Sequence, residues 1–141
     1  MNSTDVEVRL AGDEDLAFVG QDRYIPDDVL QRKVHDGEVL IATMGPERVG
    51  YLRLEYLWSR VPYIALVRVT ERYQRRGVGR ALLAAAEHRL RSRGFDALYS
   101  SSQADEPEPQ AWHRHMGFDE CGVIAGINQG GVGELFFRKR L

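Results

Sequence analysis

The stretch Val67-Arg68-Val69-Thr70-Glu71-Arg72-Tyr73-Gln74-Arg75-Arg76-Gly77-Val78-Gly79-Arg80 constrains this chain more than any other. It closes a β-branched run, Tyr63 to Thr70, that reads as a buried strand. It opens into Ala81-Leu82-Leu83-Ala84-Ala85-Ala86-Glu87-His88-Arg89-Leu90, which reads as a helix. Gly77 and Gly79 carry no Cβ, so the backbone between strand and helix can bend sharply and lie against a ligand. The first turn of a helix leaves N–H groups without partners and gathers partial positive charge. Arg75, Arg76 and Arg80 add full charges beside those amides. Strand, glycine turn, arginines and helix start together build a phosphate or pyrophosphate site.

The spacing narrows the ligand. A Walker loop needs Gly-x-x-x-x-Gly-Lys-Ser/Thr, and no Lys-Ser or Lys-Thr follows these glycines. A dinucleotide fingerprint needs a third glycine at position 82, where Leu stands. What remains is Gln74-x-x-Gly77-x-Gly79 between a strand and an Ala/Leu helix. This resembles motif A of the GNAT (Gcn5-related) N-acetyltransferase family, Arg/Gln-x-x-Gly-x-Gly/Ala. The resemblance implies acetyl-CoA as the cofactor. Its pyrophosphate would be wrapped by Gln74, Arg75, Arg76, Gly77, Val78, Gly79 and Arg80, and its pantetheine arm would meet the main chain of Val67 and Val69. It also implies the family fold, an α/β (α+β) arrangement. In that fold a mixed, mostly antiparallel sheet of about seven strands is flanked by helices, with the fourth and fifth strands parallel and splayed.

Composition sets wider bounds. The 141 residues suffice for one domain, expected over 1–141, with a real core. A net charge of −2 argues against a dedicated nucleic-acid binder. The charge is unevenly spread. Arg68, Arg72, Arg75, Arg76, Arg80, Arg89, Arg91 and Arg93 crowd the middle of the chain, and acids dominate the first sixty positions. A basic middle suits an anionic cofactor, and an acidic first third suits a cationic amine. Cys121 is the one cysteine, which rules out an intramolecular disulfide and a zinc knuckle; no metal is expected. Cys121 itself reads as a small core residue. The polar start, Met1-Asn2-Ser3-Thr4-Asp5, and the lack of a long apolar run point to the cytoplasm and away from membranes.

Taken in order, Val6 to Leu10 alternates as a half-buried strand. Asp13 follows as a helix cap, then two short helices interrupted at Tyr24-Ile25-Pro26, because the residue before proline is pushed from the α region. The resemblance makes these helices part of the acceptor wall, with Tyr24 at their break as the candidate substrate contact. Glu38–Met44, Val49–Trp58 and Tyr63–Thr70 read as strands joined by short turns in an antiparallel meander. The motif helix is expected over Gly79–Arg93, with an exposed Glu87–Arg91 pair, and Gly94 ends it. A fifth strand is expected over Asp96–Ser100, then a polar loop, a helix over Gln110–His115, and strands over Glu120–Ile127 and Gly133–Arg140 around Asn128-Gln129-Gly130-Gly131.

Ala111-Trp112-His113-Arg114-His115-Met116-Gly117-Phe118 resembles the family's motif B, Ala-x-x-x-Tyr-x-x-x-Gly-Phe. Here the chain departs from the pattern: the tyrosine that commonly protonates the leaving thiolate is replaced by His113. A histidine titrates near pH 6.5, so His113 is the candidate acid, with an expected contribution of about 10²-fold. The strand Tyr63–Val69 holds no carboxylate, which leaves Glu55 on the preceding strand as the candidate base, directly or through water. A backbone N–H near Val69 can stabilise the oxyanion. No nucleophile elbow or Cys-His signature is present, so direct attack by a neutral amine is the expected chemistry. The acceptor is a small-molecule or protein amine, and a homodimer is compatible with the sequence. Two other classes stay open: a non-catalytic acyl-CoA binding or sensing domain of the same fold, and a nucleotide-binding regulatory domain of another fold.

Overall fold

The computed structural model describes residues 5–141; the polar start read from Met1 to Thr4 lies outside them. Seven strands are present: β1 (Val6–Leu10), β2 (Val39–Met44), β3 (Glu47–Leu57), β4 (Val61–Val69), β5 (Ala97–Gln103), β6 (Asp119–Ile124) and β7 (Glu134–Arg140). The helices are α1 (Leu16–Val19), α2 (Asp27–His35), α3 (Val78–Ser92) and α4 (Pro107–His115). The sheet order is β1-β2-β3-β4-β5-β7-β6. β1–β2, β2–β3, β5–β7 and β6–β7 are antiparallel, and β4–β5 is parallel. The parallel pair registers only at Tyr63 opposite Tyr99, whereas β5 pairs with β7 along its full length. Among the described residues no helix is long and apolar enough to cross a membrane.

The chain divides into two compact units, one reaching Leu54 and resuming over Leu66–His88, the other formed by Glu55–Ala65 and Arg89–Leu141. In the first, β2 reads Val-Leu-Ile-Ala because both of its faces are covered. Val19, Leu30, Val34, Val39, Ile41 and Tyr51 form its core, with Phe18, Ile25 and Leu66 packed against it. Each such side chain contributes about 1.5–3 kcal/mol when fully buried. Val78, Leu82, Leu83 and Ala86 make the buried stripe of α3 at helical spacing. Gly50 lies beneath that stripe: a Cβ there would come within 2.7 Å of the Arg68 carbonyl and 3.0 Å of Val78 Cγ1. In the second unit, Leu90, Leu98, Phe118 and Phe137 are buried, and Tyr63 pairs with Phe136 at 5.9 Å between ring centroids.

Several expectations are corrected. Asp13 is not a cap: Gly12 stands at the start of a 3-10 turn over Asp13–Asp15, Asp15 holds the cap position of α1, and Asp13 Oδ1 meets His35 Nε2 at 2.9 Å. The Gly12 N–H donates to Asp15 instead, and Asp15 also takes both Arg9 and Arg48. β5 runs on through Ser101, Ser102 and Gln103: it pairs with β7 as far as Gln103, and the hydroxyls of Ser100 and Ser101 find partners in His113 and Glu134. Glu87 is buried rather than exposed. Cys121 is exposed rather than in the core, because every residue of β6 is exposed.

Candidate active site

The turn between β4 and α3 is held from both ends. The Thr70 N–H donates to the Val49 carbonyl at 2.9 Å, and a 3-10 turn over Glu71–Tyr73 closes with Tyr73 N–H on Thr70 at 2.8 Å. Tyr73 is buried, its hydroxyl donates to the Glu47 carboxylate, and the Arg72 and Arg76 guanidiniums lie 5.0 and 5.6 Å from its ring centre. The bond to Glu47 raises the Tyr73 pKa, which keeps the hydroxyl a donor. Arg75 then takes φ +65°, a left-handed conformation costly for a residue with a side chain, and Gly77 takes φ +82°. Left-handed residues at alternate positions turn successive N–H groups toward one side, the geometry of an anion nest. Ala81 N–H closes onto the Gly77 carbonyl at 2.9 Å, and the N–H groups ahead of it in the helix start are those that a helix leaves unpaired.

The side chains suit that geometry. Arg75, Arg76, Gly77 and Arg80 are exposed, Gly79 is half-buried, and Val78 at 1% exposure pins the helix start to the core. Gln74 reaches back, its Nε2 donating weakly to the Val69 carbonyl at 3.4 Å. Val67 and Val69 are half-buried on β4. A Cβ on Gly77 would meet no protein atom within 4 Å, so a side chain there would stand in open space. These residues fit a polyphosphate group.

In the same unit, Tyr24 stands 73% exposed between α1 and α2. Its N–H donates to Asp22 Oδ1 at 2.9 Å. The Asp22 carboxylate is buried and also accepts from Tyr51 Oη at 2.7 Å and Arg53 Nη1 at 3.2 Å. Burial alone would raise the Asp22 pKa, but the Tyr24 N–H, the Tyr51 hydroxyl and Arg53 outweigh it and hold it below the usual carboxylate range. This fixes the segment that carries Tyr24 to the sheet.

The second unit carries both candidate proton-transfer residues. Glu55 is half-buried on β3, and its charge helps push up the pKa of Tyr63, for which burial is the main cause. His113 is 4% exposed, stacked on Phe137 at 4.5 Å and edged by Trp112 and Phe118. Its Nε2 lies 2.7 Å from Ser100 Oγ, and its Nδ1 faces the Pro109 carbonyl without reaching hydrogen-bond geometry. Burial lowers its pKa, so the ring is neutral at pH 7. A direct proton donor must touch the leaving group, and His113 touches Ser100 and aromatic rings.

Sequence reasoning passed over a group on three strands and a loop. Tyr63 Oη lies 2.6 Å from Ser101 Oγ, Ser101 Oγ donates to Glu134 Oε2 at 2.6 Å, and Asn128 Nδ2 donates to Glu134 Oε1 at 2.9 Å. The readable signal was modest: a tyrosine within the mostly apolar run Val61–Val67 and a glutamate just ahead of Leu135-Phe136-Phe137.

The acetyltransferase (GNAT) family model matches residues 10–118. No curated protein matches the sequence. Solved structures do. The ribosomal-protein-alanine N-acetyltransferase of Brucella melitensis is 25% identical over 96% of this chain and 99% of its own, with a TM-score of 0.80. The GNAT-family acetyltransferase of Bacillus cereus is 19% identical over 96% and 97%, with a TM-score of 0.78. Salmonella typhimurium yncA, solved with its cofactor acetyl-CoA, is 16% identical over 96% and 94%, with a TM-score of 0.80. With the seven-stranded order, the parallel β4–β5 pair and the nest before α3 in place, the chain belongs to the acetyltransferase (GNAT) family.

Proposed function

We propose that this chain is a single acetyltransferase domain, over 1–141, that transfers an acetyl group from acetyl-CoA directly to an amine. The observation that carries this reading is the Gln74–Arg80 turn: left-handed Arg75 and Gly77, exposed arginines, and open space where a Gly77 side chain would stand. Gln74, Arg75, Arg76, Gly77, Val78, Gly79 and Arg80 hold the pyrophosphate. Val67 and Val69 offer main-chain groups to the pantetheine arm, and an N–H near Val69 faces the oxyanion. The cofactor supplies an acetyl thioester, whose transfer to an amine needs no enzyme nucleophile. Tyr24 contacts the acceptor. Glu55 takes the amine proton, directly or through water. His113, buried against Phe137 and bonded to Ser100, takes no proton-transfer step in this reading. The exposed cysteine and the lack of a membrane-crossing helix among the described residues agree with a cytoplasmic protein.

The acceptor is an amine of a small molecule or protein. The Brucella relative acts, by its name, on ribosomal-protein alanine, which makes a peptide beginning with alanine the first probe. The test is thiol release from acetyl-CoA on adding that peptide, then a panel of small amines. Acceptor-dependent release supports transfer. The burial of His113 at the motif-B tyrosine position favours one other reading, a non-catalytic acyl-CoA sensor. Tight cofactor binding with no release across the panel would select the sensor.

A further inference from the structure

We infer that Glu134 is the terminal acceptor of the amine proton, reached from Tyr63 through Ser101. The inference rests on the amine-acetyltransferase reading above and puts Glu134 in the place of Glu55 as the final acceptor of the amine proton. The direction of the path follows from counting hydrogens. A serine hydroxyl has one proton to give, and Ser101 gives it to Glu134 Oε2 at 2.6 Å. Ser101 Oγ can then only accept in its contact with Tyr63 Oη, so the tyrosine is the donor there. The chain therefore runs one way, from Tyr63 O–H to Ser101 O–H to the Glu134 carboxylate. Asn128 Nδ2 fixes the other carboxylate oxygen at 2.9 Å and the Gly133 carbonyl at 3.3 Å, so Glu134 is held for this contact.

The Tyr63 oxygen, its own proton committed to Ser101, keeps lone pairs for a further donor. Tyr63 is half-buried, and Phe136 sets its ring. An ammonium N–H there is the matching donor. In the transfer one N–H bond of the ammonium breaks and an O–H bond forms at Tyr63. The former tyrosine proton bonds to Ser101, and the former serine proton bonds to Glu134 Oε2. The nitrogen keeps its electron pair for attack, and the net change is one proton moved from nitrogen to carboxylate. No tyrosinate is needed, which suits a hydroxyl whose ionisation burial opposes.

Two further titratable groups are electrostatically coupled to the path: Glu55 from β3, whose charge acts on Tyr63, and His113 from α4, on which the Glu134 charge acts. Glu55 acts on Tyr63 through its charge, without a bond into the chain of hydroxyls. His113 is neutral at pH 7 and bonded to Ser100, on the other face of β5. Neither competes for the proton as the structure stands.

The experiment compares wild type with Glu134→Gln, Ser101→Ala, Tyr63→Phe and Glu55→Gln. Calorimetric binding of acetyl-CoA comes first; its absence in the wild type would sink the acetyltransferase reading rather than the relay alone. With binding intact, thiol release with the alanine-led peptide is followed against pH. The expected result is a fall in kcat of about 10²-fold in Glu134→Gln and Ser101→Ala, with the acid limb of the profile lost in Glu134→Gln and acetyl-CoA affinity unchanged. A loss confined to Glu55→Gln, with Glu134→Gln at the wild-type rate, would overturn the inference. An acceptor-independent arm reads Tyr63 ionisation from ultraviolet absorbance, as wild type minus Tyr63→Phe. The hydroxyl is expected to ionise at lower pH in Glu134→Gln, because a facing negative charge is gone. An unchanged titration would overturn the inference even if no amine in hand turns over.

Discussion

At the scale of single residues, the turn before α3 depends on atoms that are absent. Gly50 has no room for a methyl group, with the Arg68 carbonyl and Val78 crowding the position. Gly50→Ala is expected to lower stability by about 1–3 kcal/mol, since an overpacked core must shift backbone or rotamers. A denaturant melt measures it, and a midpoint unchanged from wild type would mean the strand gives way freely. Gly77 is the opposite case, a glycine with open space beside it and a left-handed φ. Ala there is strained by its φ alone, whereas Asp adds a negative charge where the pyrophosphate is read to lie. The prediction for Asp15→Asn belongs here too. Asp15 is fully buried and bonded to Arg9 and Arg48, each partly exposed. Losing the charge is expected to cost about 2 kcal/mol, less than for a pair buried at both ends. A thermal melt showing no loss would make the cluster ornamental.

At the scale of elements, what the sequence revealed follows from whether the cause was local. The β4–turn–α3 segment was readable because its glycines, β-branched residues and alanines each act within a few positions of themselves. The motif-B helix was readable from its proline start and glycine end, and it begins at Pro107. β5 was read three residues short because serines count against a strand until their partners are known, and those partners, His113 and Glu134, come from later elements. The same non-locality hid the Tyr63–Ser101–Glu134–Asn128 chain, whose members lie on separate segments. It also hid the burial of His113, because a nine-residue helix does not announce which of its histidines stacks on a strand phenylalanine. Cys121 was misread for the converse reason: a cysteine near Val123 and Ile124 looks like core until its strand proves to be the sheet's edge, exposed along its whole length.

At the scale of the whole molecule, pH and the cofactor give the broadest tests. His113 has a lowered pKa in the folded chain, so the unfolded state binds its proton more readily. Its stabilising contribution is full above about pH 6.5 and is lost as pH falls below that value toward the folded pKa. Asp15 and Asp22 are also lowered, and their contributions are present above about pH 4 and lost as pH falls further. The melting temperature is therefore expected to drop on acidification in two stages. The first stage should disappear in the Ser100→Ala/His113→Phe double variant, which keeps the ring stack without a titrating group. A first stage that persists there would assign it to another histidine. The central claim, that the Gln74–Arg80 turn holds the pyrophosphate of acetyl-CoA, has its most direct test in titration calorimetry on wild type and Gly77→Asp, with ATP and NAD as comparison ligands. The reading predicts micromolar binding of acetyl-CoA by wild type, its loss in Gly77→Asp with the fold intact by circular dichroism, and no comparable binding of ATP or NAD. Equal binding by both proteins, or none by wild type, would contradict it.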